Sequence, residues 1–285
     1  MKAVFGLVCV AMGAMGAHAA HSKQRVEWNQ PMKPFHIVGN VYYVGTAQLG
    51  SYLIVTPAGD ILIDGALPES APQIERNVAS LGFRMRDIKF LLNTHAHYDH
   101  AGGLPELKRA SGAVMVASAA DAPHLRDGFT DSFGAGWDTS VPGVTVDRII
   151  KDGEQLSLGG TVLTAHVMPG HTRGCTTWTA PVSEAGKTYN VLFYCSTSVP
   201  GYKLVNNPVY PQIAEDYQRS FVIAQRLPCD VFLANHAGFF HMHDKLARGK
   251  PGARNPFIDP AEYRAFVRNS EREFENELRR QRAVH

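Results

Sequence analysis

Apolar residues recur along this chain with two different periods, and the places where one gives way to the other outline the fold. Through His36-Ile37-Val38, Val41-Tyr42-Tyr43-Val44, Ser51-Tyr52-Leu53-Ile54-Val55 and Asp60-Ile61-Leu62-Ile63-Asp64, short β-rich runs are separated by Gly and Pro. They predict an antiparallel meander. Next the pattern predicts a helix near 71–81, a strand over 88–93, a helix over 104–110 and a strand over 114–117, an alternating α/β stretch. Strands return between Arg148 and Trp178, notably 161–167, and continue through 191–194. A helix from Pro211 to about Arg226 then leads into the apolar strand Val231-Phe232-Leu233-Ala234, and Asp259-Pro260-Ala261-Glu262 opens a final amphipathic helix with a good cap. Strands thus fall in two batches, each followed by helices. The fold class this implies is α/β, two packed sheets with helices on both outer faces, a four-layer αββα sandwich.

With 285 residues the chain can bury one large core. Its 45% hydrophobic and 19% charged content excludes a disordered or fibrous protein. The formal charge is only +2, and the one dense basic cluster, Arg279-Arg280-Gln281-Arg282, sits among acids at a helix end. That is a solvated face, not a nucleic-acid footprint. Gly249 to Asn255 is the most linker-like segment and reads as a surface loop.

Met1-Lys2, the apolar run from Ala3 to Ala14 and Ala17-His18-Ala19 have the charged, apolar and small-residue zones of a secretory signal. Residues 1–19 are expected to be removed, leaving a single domain over 20–285 in the periplasm. No other segment is long and apolar enough for a membrane anchor. Processing also removes Cys9, so Cys175, Cys195 and Cys229 remain in an oxidising compartment.

Chemistry concentrates in Asn93-Thr94-His95-Ala96-His97-Tyr98-Asp99-His100-Ala101-Gly102-Gly103, where an apolar strand ends and a loop begins. In extended chain, residues i and i+2 share a face, so His95 and His97 can address one metal ion while Asp99 and His100, past the bend, address a second. Four such groups in six residues would each need a separate polar partner in a purely structural role. His171 after Met168-Pro169-Gly170 and His236 after Val231 to Ala234 also stand at carboxyl ends of strands, placed to complete two three-ligand sets. His166, inside a strand, and His241, His243, His124 and His36 have no comparable setting.

His95-Ala96-His97-Tyr98-Asp99-His100, the turn Pro169-Gly170-His171-Thr172 and the late His236 together resemble the metallo-β-lactamase superfamily over essentially the whole mature chain. Many hydrolases of that superfamily carry a metal-bridging aspartate after the next strand. Here the segment reads Phe193-Tyr194-Cys195-Ser196-Thr197-Ser198, without a carboxylate. This departure counts against thioester hydrolases, lactonases and nucleases, and the serine is similar to subclass B3 metallo-β-lactamases. His100, Gly170-His171-Thr172-Arg173-Gly174 and Val199-Pro200-Gly201-Tyr202 point the same way. Charge agrees: two divalent ions against Asp99 leave excess positive potential, suited to a small anionic substrate.

The resemblance implies two zinc ions, the first held by His95, His97 and His171 and the second by Asp99, His100 and His236. It implies hydrolysis of β-lactam antibiotics, hence antibiotic resistance, by a monomer acting on a small molecule, the alternatives being a thioester or lactone hydrolase of the same fold or a non-catalytic periplasmic zinc-binding protein. Asp99 would orient the nucleophile, Ser196 and Ser198 would bind the substrate carboxylate unless they are ordinary turn residues, and Tyr202 would donate to the developing oxyanion. Cys175 and Cys195 flank these segments on consecutive strands and are expected to form a disulfide, the alternative being two buried thiols. Substrate preference would follow from the surroundings of Trp28 and from residues 128–138.

Overall fold

The computed structural model describes residues 23–137, 139–250 and 252–284. The signal expected over 1–19 lies outside them. Apolar alternation on the strands explains the layering. On Asp60–Ile63, Ile61 and Ile63 enter a central core while Leu62 faces the other way. That central core also takes Leu163, Ala165, Trp178, Ala180 and Val191 from a second sheet, so the two sheets pack face to face. Leu62, Leu53, Leu91 and Met115 instead meet Ile74, Val78, Leu104 and Leu107 of the helices Ala71–Ser80 and Leu104–Ser111. Against the outer face of the second sheet lie Ile213–Ala224 and Pro260–Arg282, which contribute Tyr217, Phe221, Tyr263 and Phe274. The four-layer αββα sandwich is as the sequence implies. Asp259 caps the last helix by accepting a hydrogen bond from Ala261 N.

Seven strands form the first sheet in chain order, Phe35–Val38, Val41–Tyr43, Tyr52–Ile54, Asp60–Ile63, Ile88–Leu92, Val114–Ser118 and Arg148–Ile150. The first four pair antiparallel, and the last four are mutually parallel. Arg148–Ile150 corrects the sequence grouping. By position it belongs with the second batch of strands, yet it pairs parallel with Val116 to Ser118 at the edge of the first sheet. Its register depends on a distant partner, which periodicity does not report. The second sheet runs Gln155–Leu158, Thr161–Val167, Thr176–Glu184, Lys187–Tyr194 and Val231–Ala234. The Pro211 to Arg226 helix is shorter than expected, Ile213–Ala224.

Strand direction is what places the site. Asp60–Ile63, Ile88–Leu92 and Val114–Ser118 are parallel, and so are Lys187–Tyr194 and Val231–Ala234, with Thr161–Val167 pointing the same way through two antiparallel steps. Their carboxyl ends gather on one edge. There the sheets are stitched by Thr176 N donating to Thr94 O at 2.7 Å, Gly50 N to Asn235 O at 2.8 Å and Tyr52 Oη to Ala234 O at 2.5 Å. No helix among the described residues is long and apolar enough to cross a membrane.

Candidate metal centre

Ile88–Leu92 ends at a bend that keeps His95 and His97 extended, and the short helix Tyr98–Ala101 begins directly after His97. The helix carries Asp99 and His100 to a second group beside the first, the His100 ring 4.5 Å from that of His95. His171 follows Gly170, whose φ of +134° and approach to the Tyr217 ring, 2.8 Å from an added Cβ, exclude any side chain. His236 follows Val231–Ala234 and packs against Trp28, ring centroids 5.3 Å apart.

The structure brings all six sequence-chosen residues together as two groups, His95 with His97 and His171, and Asp99 with His100 and His236, each with its ligand atoms within 4.8 Å of one another. Ligands about 2.0–2.1 Å from a tetrahedral ion stand about 3.3 Å from each other. His95 Nε2 and His97 Nδ1 are 3.1 Å apart, and His100 Nε2 and His236 Nε2 lie 3.3 and 3.4 Å from the same oxygen, Asp99 Oδ2. These are the edge lengths that a tetrahedral ion requires, and the donors, nitrogen with one carboxylate, suit zinc.

Each imidazole of the first group has its other nitrogen engaged, and at His171 the partner is a carbonyl, which calls for a proton on that nitrogen. His171 Nδ1 donates to Ser198 O at 2.8 Å. His95 Nδ1 lies 3.2 Å from Thr94 Oγ1, whose hydroxyl donates to Asp64 Oδ2 at 2.6 Å. Asp64, in the left-handed region at φ 60°, also accepts from Thr94 N and Asn93 Nδ2. A neutral His97 that offers Nδ1 to the ion carries its proton on Nε2, 3.2 Å from the Tyr202 hydroxyl, which donates onward to His171 O at 3.0 Å.

Tyr202 therefore departs from the expectation. Fully buried by Phe133 and Trp137, it spends its single proton on the His171 carbonyl and bridges two candidate ligands instead of facing a substrate oxyanion. Ser198 lines the cavity over the ligands, whereas Ser196 is buried behind it, the two Oγ atoms 3.1 Å apart.

Burial holds the ring nitrogens in the state a metal needs. Desolvation and the neighbouring imidazoles keep His95 and His97 far below the usual histidine range. Burial lowers His100 to about 3 and His171 to about 4. For Asp99 burial acts upward, but His100 and His236 prevail and hold the carboxyl below its ordinary range. The free first group thus offers three neutral imidazoles, and Asp99 a carboxylate. Burial pushes Asp64 up to about 7 against the hydrogen bonds from Thr94 and Asn93.

Over the ligands lies a cavity of about 560 Å³ whose walls include Trp28, Tyr98, Trp137, Ser198, Phe239 and Gln48. Trp137 extends from the hairpin Phe129–Thr130 and Thr139–Ser140, stands edge-on to His97 and donates its indole N–H to Pro200 O at 2.9 Å. Sequence reasoning marked Trp28 and this hairpin as relevant to substrate without placing them. Asp64, absent from the sequence-predicted site, carries one legible signal, an Asp-Gly pair that ends an apolar strand. His166, His243 and His36 stay outside, each at a local oxygen, Thr179 Oγ1, Ala47 O and Gly39 O.

Cys175 and Cys195 form the expected disulfide, Cα atoms 5.8 Å apart. Cys229 is the free thiol among the described residues, and burial pushes its pKa up.

An αββα sandwich with two adjoining three-ligand groups at one edge is the architecture of a candidate binuclear metal centre. A family model described as the metallo-beta-lactamase superfamily matches residues 50–236, and the chain belongs to that superfamily. Within it, the chain is similar to solved subclass B3 structures. BJP-1, a subclass B3 metallo-beta-lactamase of Bradyrhizobium japonicum, is 42% identical with a TM-score of 0.85, the match covering 90% of this chain and 97% of that one. Native FEZ-1 metallo-beta-lactamase from Legionella gormanii is 44% identical with a TM-score of 0.86, over 89% and 98%. Curated relatives match more narrowly. A probable metallo-hydrolase of Burkholderia pseudomallei (strain 1710b) is 36% identical over 117 residues, 41% of this chain and 38% of the relative. A hydroxyacylglutathione hydrolase of Rhodospirillum rubrum is 33% identical over 107 residues, 38% of this chain and 34% of the relative. The chain thus spans little more than a third of the curated relatives it matches.

Proposed function

We propose that this protein is a zinc-dependent hydrolase of β-lactam antibiotics, exported to the periplasm by residues 1–19 and conferring resistance there. The observation that carries the reading is the single carboxylate, Asp99, in two adjoining metal groups that open onto an aromatic-walled cavity. Two divalent ions against one carboxylate leave a positive site, and a β-lactam presents a carboxylate next to its scissile amide. Likeness to subclass B3 enzymes over nine-tenths of the chain supports the same reading.

When bound, the zinc pair supplies Lewis acidity and a water acidic enough to act as nucleophile near neutral pH. The protein's part is placement. His95, His97 and His171 hold one position, Asp99, His100 and His236 the other, and Asp99 accepts hydrogen bonds that orient the nucleophile. Ser198, at the cavity wall, binds the substrate carboxylate, with Ser196 behind it orienting the Ser198 hydroxyl. Tyr202 keeps His97 and His171 in register. Trp137 beside His97 and Trp28 beside His236 wall the cleft and exclude water from the reacting amide.

A second reading, hydrolysis of glutathione thioesters, is favoured by the hydroxyacylglutathione hydrolases among the curated relatives. One assay separates them. Protein loaded with two zinc equivalents should open nitrocefin and a carbapenem, leave a glutathione thioester intact and lose turnover when a chelator strips the metal. Thioester cleavage without lactam opening, at full metal occupancy, would reverse the assignment. Trp137→Ala should raise KM roughly two- to tenfold, the worth of one aromatic contact, with a smaller effect on kcat. An unchanged KM across several lactams would remove Trp137 from the substrate wall.

A further inference from the structure

The candidate ligands come from both sheets, and one buried carboxylate joins the two contributions. Asp121, 1% exposed, lies just past Val114–Ser118. Its Oδ2 accepts from Ala96 N at 3.0 Å and from Thr172 Oγ1 at 2.8 Å, and its Oδ1 accepts from Gly174 N at 2.8 Å. Ala96 sits between His95 and His97, and Thr172 directly follows His171. At Gly174 the contact is so close that an added Cβ would fall 2.7 Å from Asp121 Cγ and 2.0 Å from Ser118 Oγ. A carboxylate without one of these donors would be buried and underpaired, so each donor is held to it firmly.

We propose that Asp121 is a positioning residue that sets where the His171 loop stands against the His95–His97 loop, and thereby the metal affinity of that three-histidine group. The inference rests on the metal-centre reading above and concerns ion binding alone, independent of substrate. A carboxylate that touches no ligand ring can act this way because ligand atoms must converge to within tenths of an ångström. Three hydrogen bonds from the two ligand-bearing loops, two from backbone N–H groups and one from the Thr172 hydroxyl, fix that convergence. Burial pushes the Asp121 carboxyl up while the three donors oppose it, and the charge reinforces their grip.

The test is competition for Zn²⁺ and Co²⁺ between full-length metal-free protein and a chromophoric chelator, repeated in a His236→Ala background where the three-histidine group is the intact one. Asp121→Asn keeps the shape but turns an amide N–H₂ towards donors. It should weaken the three-histidine group roughly ten- to a hundredfold, the usual effect of losing an outer partner, and alter its Co²⁺ absorption bands. Thr172→Val, which removes one donor of three, should give a smaller loss of the same kind. Val182→Ala, a core change on Thr176–Glu184, serves as a stability control and should leave both affinities as they were. The proposal falls if Asp121→Asn matches the unsubstituted protein in affinity and spectrum, or loses no more than a control of equal Tm. Should Asp121→Asn fail to fold, Thr172→Val decides, and unchanged affinity there overturns the proposal. If the unsubstituted protein itself binds fewer than two ions, the metal-centre reading falls and takes this inference with it.

Discussion

His171→Ala is expected to leave the protein with one tightly held zinc instead of two and to reduce β-lactam turnover at least about a thousandfold. The first group would keep only His95 and His97, two nitrogens 3.1 Å apart, while Asp99, His100 and His236 remain complete. Removing a mere outer partner of a ligand already costs about 10–100-fold in affinity, so removing the ligand costs more. The rate loss is larger still, because an ion that brings the pKa of water from 15.7 to about 7 supplies most of the nucleophile at neutral pH. Folding should survive, since His171 lies on a loop whose neighbours Thr172 and Gly174 stay bound to Asp121 and whose strand is tied by the disulfide. Metal analysis and steady-state kinetics on the same preparation check both halves. Two retained equivalents, or turnover within tenfold, would show that His171 is no ligand.

Cys175→Ala with Cys195→Ala should lower the Tm by roughly 6–12 °C, from a loss of about 3 kcal/mol. The bond closes a chain separation of 20 residues, and its removal frees that loop's entropy in the unfolded chain. Both side chains are fully buried, so alanine also leaves a little unfilled space. The disulfide connects the strand after His171 with the segment leading to Ser196 and Ser198, yet His171 keeps its own bond to Ser198 O. Turnover at 25 °C should therefore stay within a few-fold while the Tm falls. Thermal denaturation of the double variant, alongside the unsubstituted protein with and without reductant, measures it. A Tm within 2 °C of the parent would mean that the bond adds little stability.

Much of the candidate site was legible in the chain because its ligands mark themselves chemically. Four of six lie between His95 and His100, and the local rule that alternate residues of extended chain share a face already assigns two of them to one ion. His171 and His236 were legible as histidines at strand ends. Tyr202 was legible as a residue but not as a role, since its hydroxyl is claimed by His97 and His171 from segments 105 and 31 residues away. Asp121 gave no signal at all. Its partners lie 25, 51 and 53 residues distant, and an aspartate before a short helix looks like an ordinary cap.

By itself the sequence determined the two-period layering, the six candidate metal ligands and the lack of a carboxylate at Ser196, all consequences of local pattern and side-chain chemistry. Tertiary structure alone decided which edge strand Arg148–Ile150 would be, how the carboxyl ends of six strands meet at one edge, and which carboxylates and hydroxyls brace the histidines. The physical reason is that hydrogen bonds across two packed sheets depend on strand direction and register, which the whole buried core sets together and no short window contains.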